Sequence, residues 1–351
     1  MDFDMRFDRH KDQLEDFWDR RQNTPQFERK VVLFDRSLRM SSNHSGALAG
    51  IDHCLPLYSS APPNDLDPFS IQIVVQAGPT KPGPVPEDLF DHIQYTGDAD
   101  WLVIQLGAWG TCHVDLAAGR AVAILAPQLA GRPELVGRCL LNTVITNFFI
   151  ASGFAMLHAS CLLQGSRALL LMAPHNTGKS TTALRLVLAG YRLLSDSMVF
   201  VPAHGERLDL YGFPVGKIKL RKDMIPAFPQ LEPMLETEQV RGETKFSVDL
   251  RQIDLAWVYE RAFSPSSIDV CLLVRIGRPE TLLEPVTRAA ILEAAMVNSL
   301  FYDTQQVWRR NWATIERLVD SANWYRLSIG SDPHGIVEAT ARLRPGSNTP
   351  Q

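Results

Sequence analysis

The sequence predicts an α/β fold built on a phosphate-binding loop, with a smaller α+β module ahead of it. Three observations carry this. Residues Ala168–Val201, ALLLMAPHNTGKSTTALRLVLAGYRLLSDSMVFV, read as strand, loop, helix and strand. A further buried strand, Ile268–Ile276, is followed by two helical stretches, Arg288–Leu300 and Thr304–Ala322. Short alternating runs between Ile71 and Ala126, separated by glycine turns, read as a small sheet of their own.

The chain has 351 residues and a net charge of −4, with 45% hydrophobic content. That length has room for two domains and a sizeable core. The charge gives no basic footprint, so no nucleic-acid partner is expected. The five cysteines, Cys54, Cys112, Cys139, Cys161 and Cys271, are odd in number and lack Cys-x-x-Cys spacing. Buried thiols in a reducing compartment fit this better than a disulfide scaffold, and the expected localisation is cytoplasmic. The opening residues, MDFDMRFDRH, alternate in charge and do not read as a signal peptide.

From the N-terminus, Arg9–Gln22 places Leu14, Phe17 and Trp18 on one helical face, to pack on the body or on a partner. Ser42–Leu66, rich in Ser, Asn and Pro, reads as a connecting loop. Ile71–Gln76, Trp101–Leu106, Thr111–Asp115 and Arg120–Ala126 read as a small antiparallel sheet. Residues 1–130 thus form a module that presents a substrate or braces the rest; 131–343 form the nucleotide-binding domain, and 344–351 a disordered tail. The stretch from Cys139 to Ser166 lacks formal charge and invites a membrane reading. Its Asn142, Thr143, Thr146, Asn147 and His158 argue for a buried helix over Glu134–Ala151 instead, and no membrane partner is expected.

The central unit has its own chemistry. Ala168–Met172 is a short apolar strand, and Thr181–Ala189 carries Leu184, Val187 and Leu188 before Gly190 as C-cap. The loop between them, through Asn176, Thr177, Gly178, Lys179, Ser180 and Thr181, reads as a Walker A phosphate cradle. Backbone N–H groups and the positive end of the helix suit a triphosphate. Gly178 allows close approach, Lys179 is a point charge for the β- and γ-phosphates, and the Ser180 hydroxyl suits Mg²⁺. ATP and Mg²⁺ are therefore the expected cofactors. Asp196, in the run Arg192–Val201, is placed to touch the metal or a substrate hydroxyl. Ala173 stands where the pattern begins with glycine, which is strained only if that site needs positive φ.

Beyond the loop, His158-Ala159-Ser160 lies on an expected strand Leu157–Leu163, and Gly165 turns into Ala168–Met172. Downstream stands Gly190-Tyr191-Arg192-Leu193-Leu194-Ser195-Asp196, and then Phe213-Pro214 with Ile218-Lys219-Leu220. With these motifs and spacings the chain resembles the HPr kinase/phosphorylase-like kinases, whose core is shared with phosphoenolpyruvate carboxykinases. The resemblance covers Leu157–Val201 and extends loosely to about Leu343. It implies a P-loop kinase core with a mixed sheet, and His158 near the γ-phosphate or the Asp196 carboxylate. Read from the residues alone, His158 is a hydrogen-bonded strand histidine. Where the family has a second aspartate this chain has Ser197, and Arg241-Gly242 is only a loose match to its later signature.

The remaining elements are a turn at Pro202–Arg207, a short strand Leu208–Tyr211, and the cations Lys217, Lys219, Arg221 and Lys222. Either Lys217 or Lys219 faces the nucleotide, or the cluster is a solvated edge. Pro226–Val240, with three prolines, reads as a mobile surface loop. Arg241 and Lys245 precede a strand entry at Phe246–Leu250 and read as surface charge, the alternative being closure over substrate. Trp308 and Trp312 read as packing, Tyr325–Ile329 as a last strand and Pro333–Leu343 as a closing helix.

Three functions stay open. One is an ATP- and Mg²⁺-dependent kinase with Lys179, Asp196 and His158 at its centre, acting on a hydroxyl of a peptide, small protein or small molecule. The second is a nucleotide-binding regulatory module with little turnover. The third is a P-loop ATPase. A homo-oligomer is compatible with each.

Overall fold

The computed structural model describes residues 25–34, 36–54, 69–78, 82–174, 176–205, 207–213, 217–240, 243–299 and 305–343. The expected helix at Arg9–Gln22, most of the second half of the Ser42–Leu66 loop, His175, Pro214, Arg241, Gly242 and the tail from 344 lie outside these. By contacts the chain divides into two units, 1–148 and 149–351.

In the first unit, seven strands form one mixed sheet. They are β1 (Phe27–Leu33), β2 (Arg36–Ser42), β3 (Phe69–Val75), β4 (Ile93–Gly97), β5 (Trp101–Leu106), β6 (Gly110–Asp115) and β7 (Arg120–Leu125), in the order β1-β2-β3-β7-β6-β5-β4. Alternation makes these strands: Cys112 and Val114 of β6, and Ala121, Ala123 and Leu125 of β7, turn to the core while their neighbours are more open. The antiparallel sheet expected from sequence is only part of this one, because β2, β3 and β7 run parallel. The expected loop at Ser42–Leu66 is corrected as well: Ser45–Cys54 is a helix, α1. Its Gly50 backs onto Gly137 so closely that a Cβ on Gly137 would lie 2.3 Å from the Gly50 carbonyl oxygen. The Ser-, Asn- and Pro-rich composition of the wider stretch hid this helix, and tertiary packing of Gly50 on Gly137 outweighs the poor helix propensity of glycine.

The charge-poor stretch is helical from Pro133 to Ala151, with a π-helical segment at Val136–Leu141 and a regular helix, α2, at Asn142–Ala151. By length and hydropathy it could cross a membrane, yet 67% of it is buried within the fold. Val144, Ile145 and Phe148 are inaccessible, as expected of a core helix.

The second unit is organised around a six-stranded sheet. Its strands are β8 (Phe154–Leu157), β9 (Ser160–Gln164), β10 (Arg167–Met172), β11 (Arg192–Asp196), β12 (Met198–Pro202), β13 (Tyr211–Phe213), β14 (Lys217–Leu220), β15 (Glu236–Val240), β16 (Glu243–Asp249), β17 (Ser267–Arg275), β18 (Leu282–Pro285) and β19 (Ala322–Ile329). The large sheet has the order β11-β9-β10-β17-β19-β18, and two small sheets follow, β13-β12-β8 and β14-β16-β15. Helices are α3 (Lys179–Leu188), α4 (Arg288–Val297), α5 (Gln305–Asp320) and α6 (Pro333–Ala341). Leu170, Met172, Val270, Ile291, Ile315 and Leu318 belong to one apolar core between sheet and helices. The parallel strands β10, β17 and β19 are also tied by charge: Arg167 bonds Asp269 at 2.7 Å, and Asn323 donates to the same carboxylate at 2.9 Å.

Several expected elements change shape. The strand–loop–helix–strand unit is present, but β9 lies antiparallel between β10 and β11, so the two strands that α3 joins are not neighbours. The runs Leu157–Leu163 and Arg192–Val201 are not single strands: each breaks and passes into a second sheet, one at His158-Ala159 and the other at Ser197. The breaks are aligned, since Asp196 pairs with Ser160 and Val199 with Leu157. Ser197 takes a φ of 126°, outside ordinary strand geometry, and this turns the chain. Pro226–Val240 is not a loop throughout. It holds 3₁₀ turns anchored by buried Phe228 and Leu231, and then β15. The strand at Leu208–Tyr211 is shifted to Tyr211–Phe213, and β18 was missed because LLEP is short and mostly exposed.

Candidate functional site

The parallel strands β10, β17 and β19 end on one side of the sheet, and there a cleft of about 400 Å³ opens. The Walker-type loop fills its middle. Asn176 (φ 62°) and Gly178 (φ 112°) are left-handed, so the chain curls here, the kind of turn that forms anion-binding concavities. Gly178 is the N-cap of α3 and offers no side chain to the first-turn N–H groups. These orphan donors and the dipole end suit an anion. Ala173 is not in the left-handed region, so the alanine there causes no backbone strain.

Lys179 is only 9% exposed, and its Nζ donates to the Ala173 carbonyl at 2.8 Å. Burial lowers its pKa, and the nearby Asp196 carboxylate pulls the other way. Asp196, the last residue of β11, is 4% exposed. It accepts the Ser160 hydroxyl at 2.5 Å and the Lys219 backbone N–H. Burial raises its pKa, and these bonds, the nearby Ser180 hydroxyl and the charge of Lys179 oppose the rise. A carboxylate, two hydroxyls and an ammonium thus lie near one buried corner.

His158, Asn176, Thr177, Gly178, Lys179, Ser180, Thr181 and Asp196 all border this cleft. His158 lies in the link between β8 and β9, not on a strand, and its backbone N–H donates to the Asn298 carbonyl at 2.6 Å. Lys219 lines the cleft, whereas Lys217 and Lys222 are not part of its wall. Lys245, read as surface charge, also lines it, with its side chain 17% exposed and Glu243 at 3.7 Å.

Sequence reasoning missed three contributors. Ser160 becomes visible only once the β9–β11 register sets it opposite Asp196. Arg185, in α3, and Arg275, at the end of β17, border the cleft without any local motif to mark them. Strand order brings them in.

Oxygen atoms on Ser180 and Asp196, which border the same cleft, match the preference of Mg²⁺ for hard ligands, and the helix N-terminus with Lys179 matches a triphosphate. The residues therefore fit both groups.

No family model matches the chain, and no curated protein does. Among solved structures, the HPr(Ser) kinase/phosphatase from Coxiella burnetii aligns at 12% identity, over 53% of this chain and 91% of that chain, with a TM-score of 0.26. A TM-score that low does not establish a common fold.

Proposed function

We propose that this chain is an ATP- and Mg²⁺-dependent phosphotransferase that passes a γ-phosphate to a hydroxyl acceptor, a serine of a peptide or small protein or a small molecule. The observation that carries this is one cleft lined by the loop residues Asn176–Thr181, with Lys179 buried among them, and by the buried Asp196 carboxylate that the Ser160 hydroxyl holds. Phosphoryl transfer needs placement and neutralised charge rather than covalent partners, and such a corner supplies both.

In this reading the loop amides and the N-terminus of α3 hold the triphosphate, and Lys179 leaves the Ala173 carbonyl for phosphate oxygens. Ser180 and Asp196 would hold Mg²⁺, which when bound screens the charge on the β- and γ-phosphates. In place of the metal role, Asp196 would take the acceptor's hydroxyl proton, and burial favours that alternative by making the carboxylate a better base. Ser160 fixes one carboxylate oxygen and so its orientation. His158 stands on the same wall, beside the acceptor's approach.

A second reading has its own support. Ser197 takes the place beside Asp196 where a second carboxylate would share the metal and base roles, and a hydroxyl has no charge to contribute. A binding module with little turnover is consistent with that. ATP consumption with Mg²⁺ and serine-bearing acceptors, in wild type, Lys179→Ala and Asp196→Asn, separates the two. A kinase gives ADP that rises with one acceptor and falls at least 100-fold in both variants. A regulatory module gives ATP binding, lost in Lys179→Ala, with no turnover.

A further inference from the structure

The cleft has two arms on either side of the loop. In the strand order β11-β9-β10-β17, Asp196 ends the first strand and the loop follows the third, two strand spacings or about 10 Å away. Lys219, whose backbone bonds Asp196, and Lys245 line this first arm. Arg275 ends β17, on the other side of β10, and the second arm continues over Ile329 and Gly330 at the end of β19 to Ile336 of α6. Arg185 joins this second arm from α3. It lies six residues, about 9 Å of helix axis, beyond Lys179, and helical side chains lean back toward the N-terminus and so toward the loop.

The two arginines differ from the other cations of the cleft. Arg221 is paired with Asp223 at 3.0 Å and Lys245 with Glu243 at 3.7 Å. Neither Arg185 nor Arg275 has a side-chain hydrogen bond or ion pair among the described residues, although each guanidinium carries five donors. They are close enough to repel one another, with Asp332 as the attractive charge acting on Arg185. Two like charges set together in a cleft wall, with donors unspent, fit an anionic group between them.

We propose that Arg185 and Arg275 hold the nucleoside end of the nucleotide, engaging its α-phosphate and ribose, so that the cleft is polar in a fixed sense. This rests on the nucleotide reading above. The γ-phosphate then points along the loop toward Asp196, and the acceptor enters over β11 and β14. In-line transfer requires this separation, because leaving group and acceptor lie on opposite sides of the moving phosphorus. Both arms are built, and among the described residues the second holds the two arginines with no hydrogen-bond or ion-pair partner, suited to a phosphate further back along the nucleotide.

The test compares affinities of ATP and inorganic triphosphate, each with Mg²⁺, in wild type, Arg185→Gln and Arg275→Gln, with thermal melts to verify folding. Arg275 is exposed, so its variant is expected to fold even if Arg185→Gln does not. The expected result is ATP bound at least tenfold more weakly by each folded variant, with triphosphate affinity changed less than threefold. Unchanged ATP affinity would overturn the assignment. Equal losses for both ligands would also overturn it, by placing the arginines on the β- and γ-phosphates. A wild type that binds triphosphate but not ATP would remove the nucleoside subsite alone, whereas one that binds neither would remove the nucleotide reading beneath it.

Discussion

Asp196 holds its position against the physics of burial. The Ser160 hydroxyl, the Lys219 backbone N–H, the nearby Ser180 hydroxyl and Lys179 favour its ionised form, yet its pKa is raised, so desolvation outweighs all four. A raised folded-state pKa gives stability that is fully present below the unfolded value and lost as pH rises through the folded one. Wherever Asp196 is ionised, the folded chain therefore bears a charge it would be more stable without. Asp196→Asn removes that charge and keeps an oxygen for Ser160. It also deprives Lys179 of an attractive partner, but the direction of the Asp196 shift already includes that attraction. Without nucleotide or Mg²⁺, the variant should melt higher at pH 8 by about 2–4 °C, the equivalent of roughly 1 kcal/mol. The gap should close as wild type is acidified and Asp196 takes up its proton. A variant that melts lower at pH 8 would show that the lysine needs its partner more than the fold needs relief. Stability held back for function is common at such corners.

Elements were legible where their cause is local, and obscure where it is not. The Walker-type loop, β10 and α3 could be read because the residues between Ala168 and Ala189 carry strand, turn and helix signals in succession. Lys179 and Asp196 were legible for the same reason. What sequence could not give is pairing: β9 inserted between β10 and β11, the paired breaks at His158 and Ser197, and the contacts of Ser160, Arg185 and Arg275 all follow from strand order. The α1 helix was hidden by the Ser, Asn and Pro around it, and only its packing on Gly137 explains it. Pairing also creates a buried polar tie between elements, the Arg167–Asp269–Asn323 cluster across β10, β17 and β19, with the Asp269 side chain 2% exposed. Asp269→Ala leaves Arg167 without its carboxylate and Asn323 without its acceptor. The expected loss is about 3–5 kcal/mol, the range for breaking one side of a buried ion pair. Urea denaturation of wild type and variant measures it, and a loss under about 1 kcal/mol would mean the pair behaves as a surface contact.

Taken as a whole the chain is acidic, with a net charge of −4, while its cleft is bordered by Lys179, Arg185, Lys219, Arg221, Lys245 and Arg275 against the carboxylates of Asp196 and Asp223. Charge is thus sorted by place rather than by amount, and the global figure that argued against nucleic acid says nothing against a small polyanion. A ligand drawn by this local field must feel ionic strength, since the screening length falls from about 10 Å at 0.1 M salt to about 3 Å at 1 M. Contacts buried against the loop are screened less than those on the exposed rim, where Lys219, Arg221 and Arg275 lie. Raising KCl from 0.05 to 0.5 M at constant Mg²⁺ should therefore weaken ATP binding several-fold without abolishing it. In the Arg275→Gln variant the slope of affinity against salt should be shallower than in wild type, because a screened contact has been removed. Calorimetric titration across the salt series reads both quantities. A wild-type affinity that does not change with salt would mean that the cations around the cleft are already neutralised by the protein and do not hold the ligand.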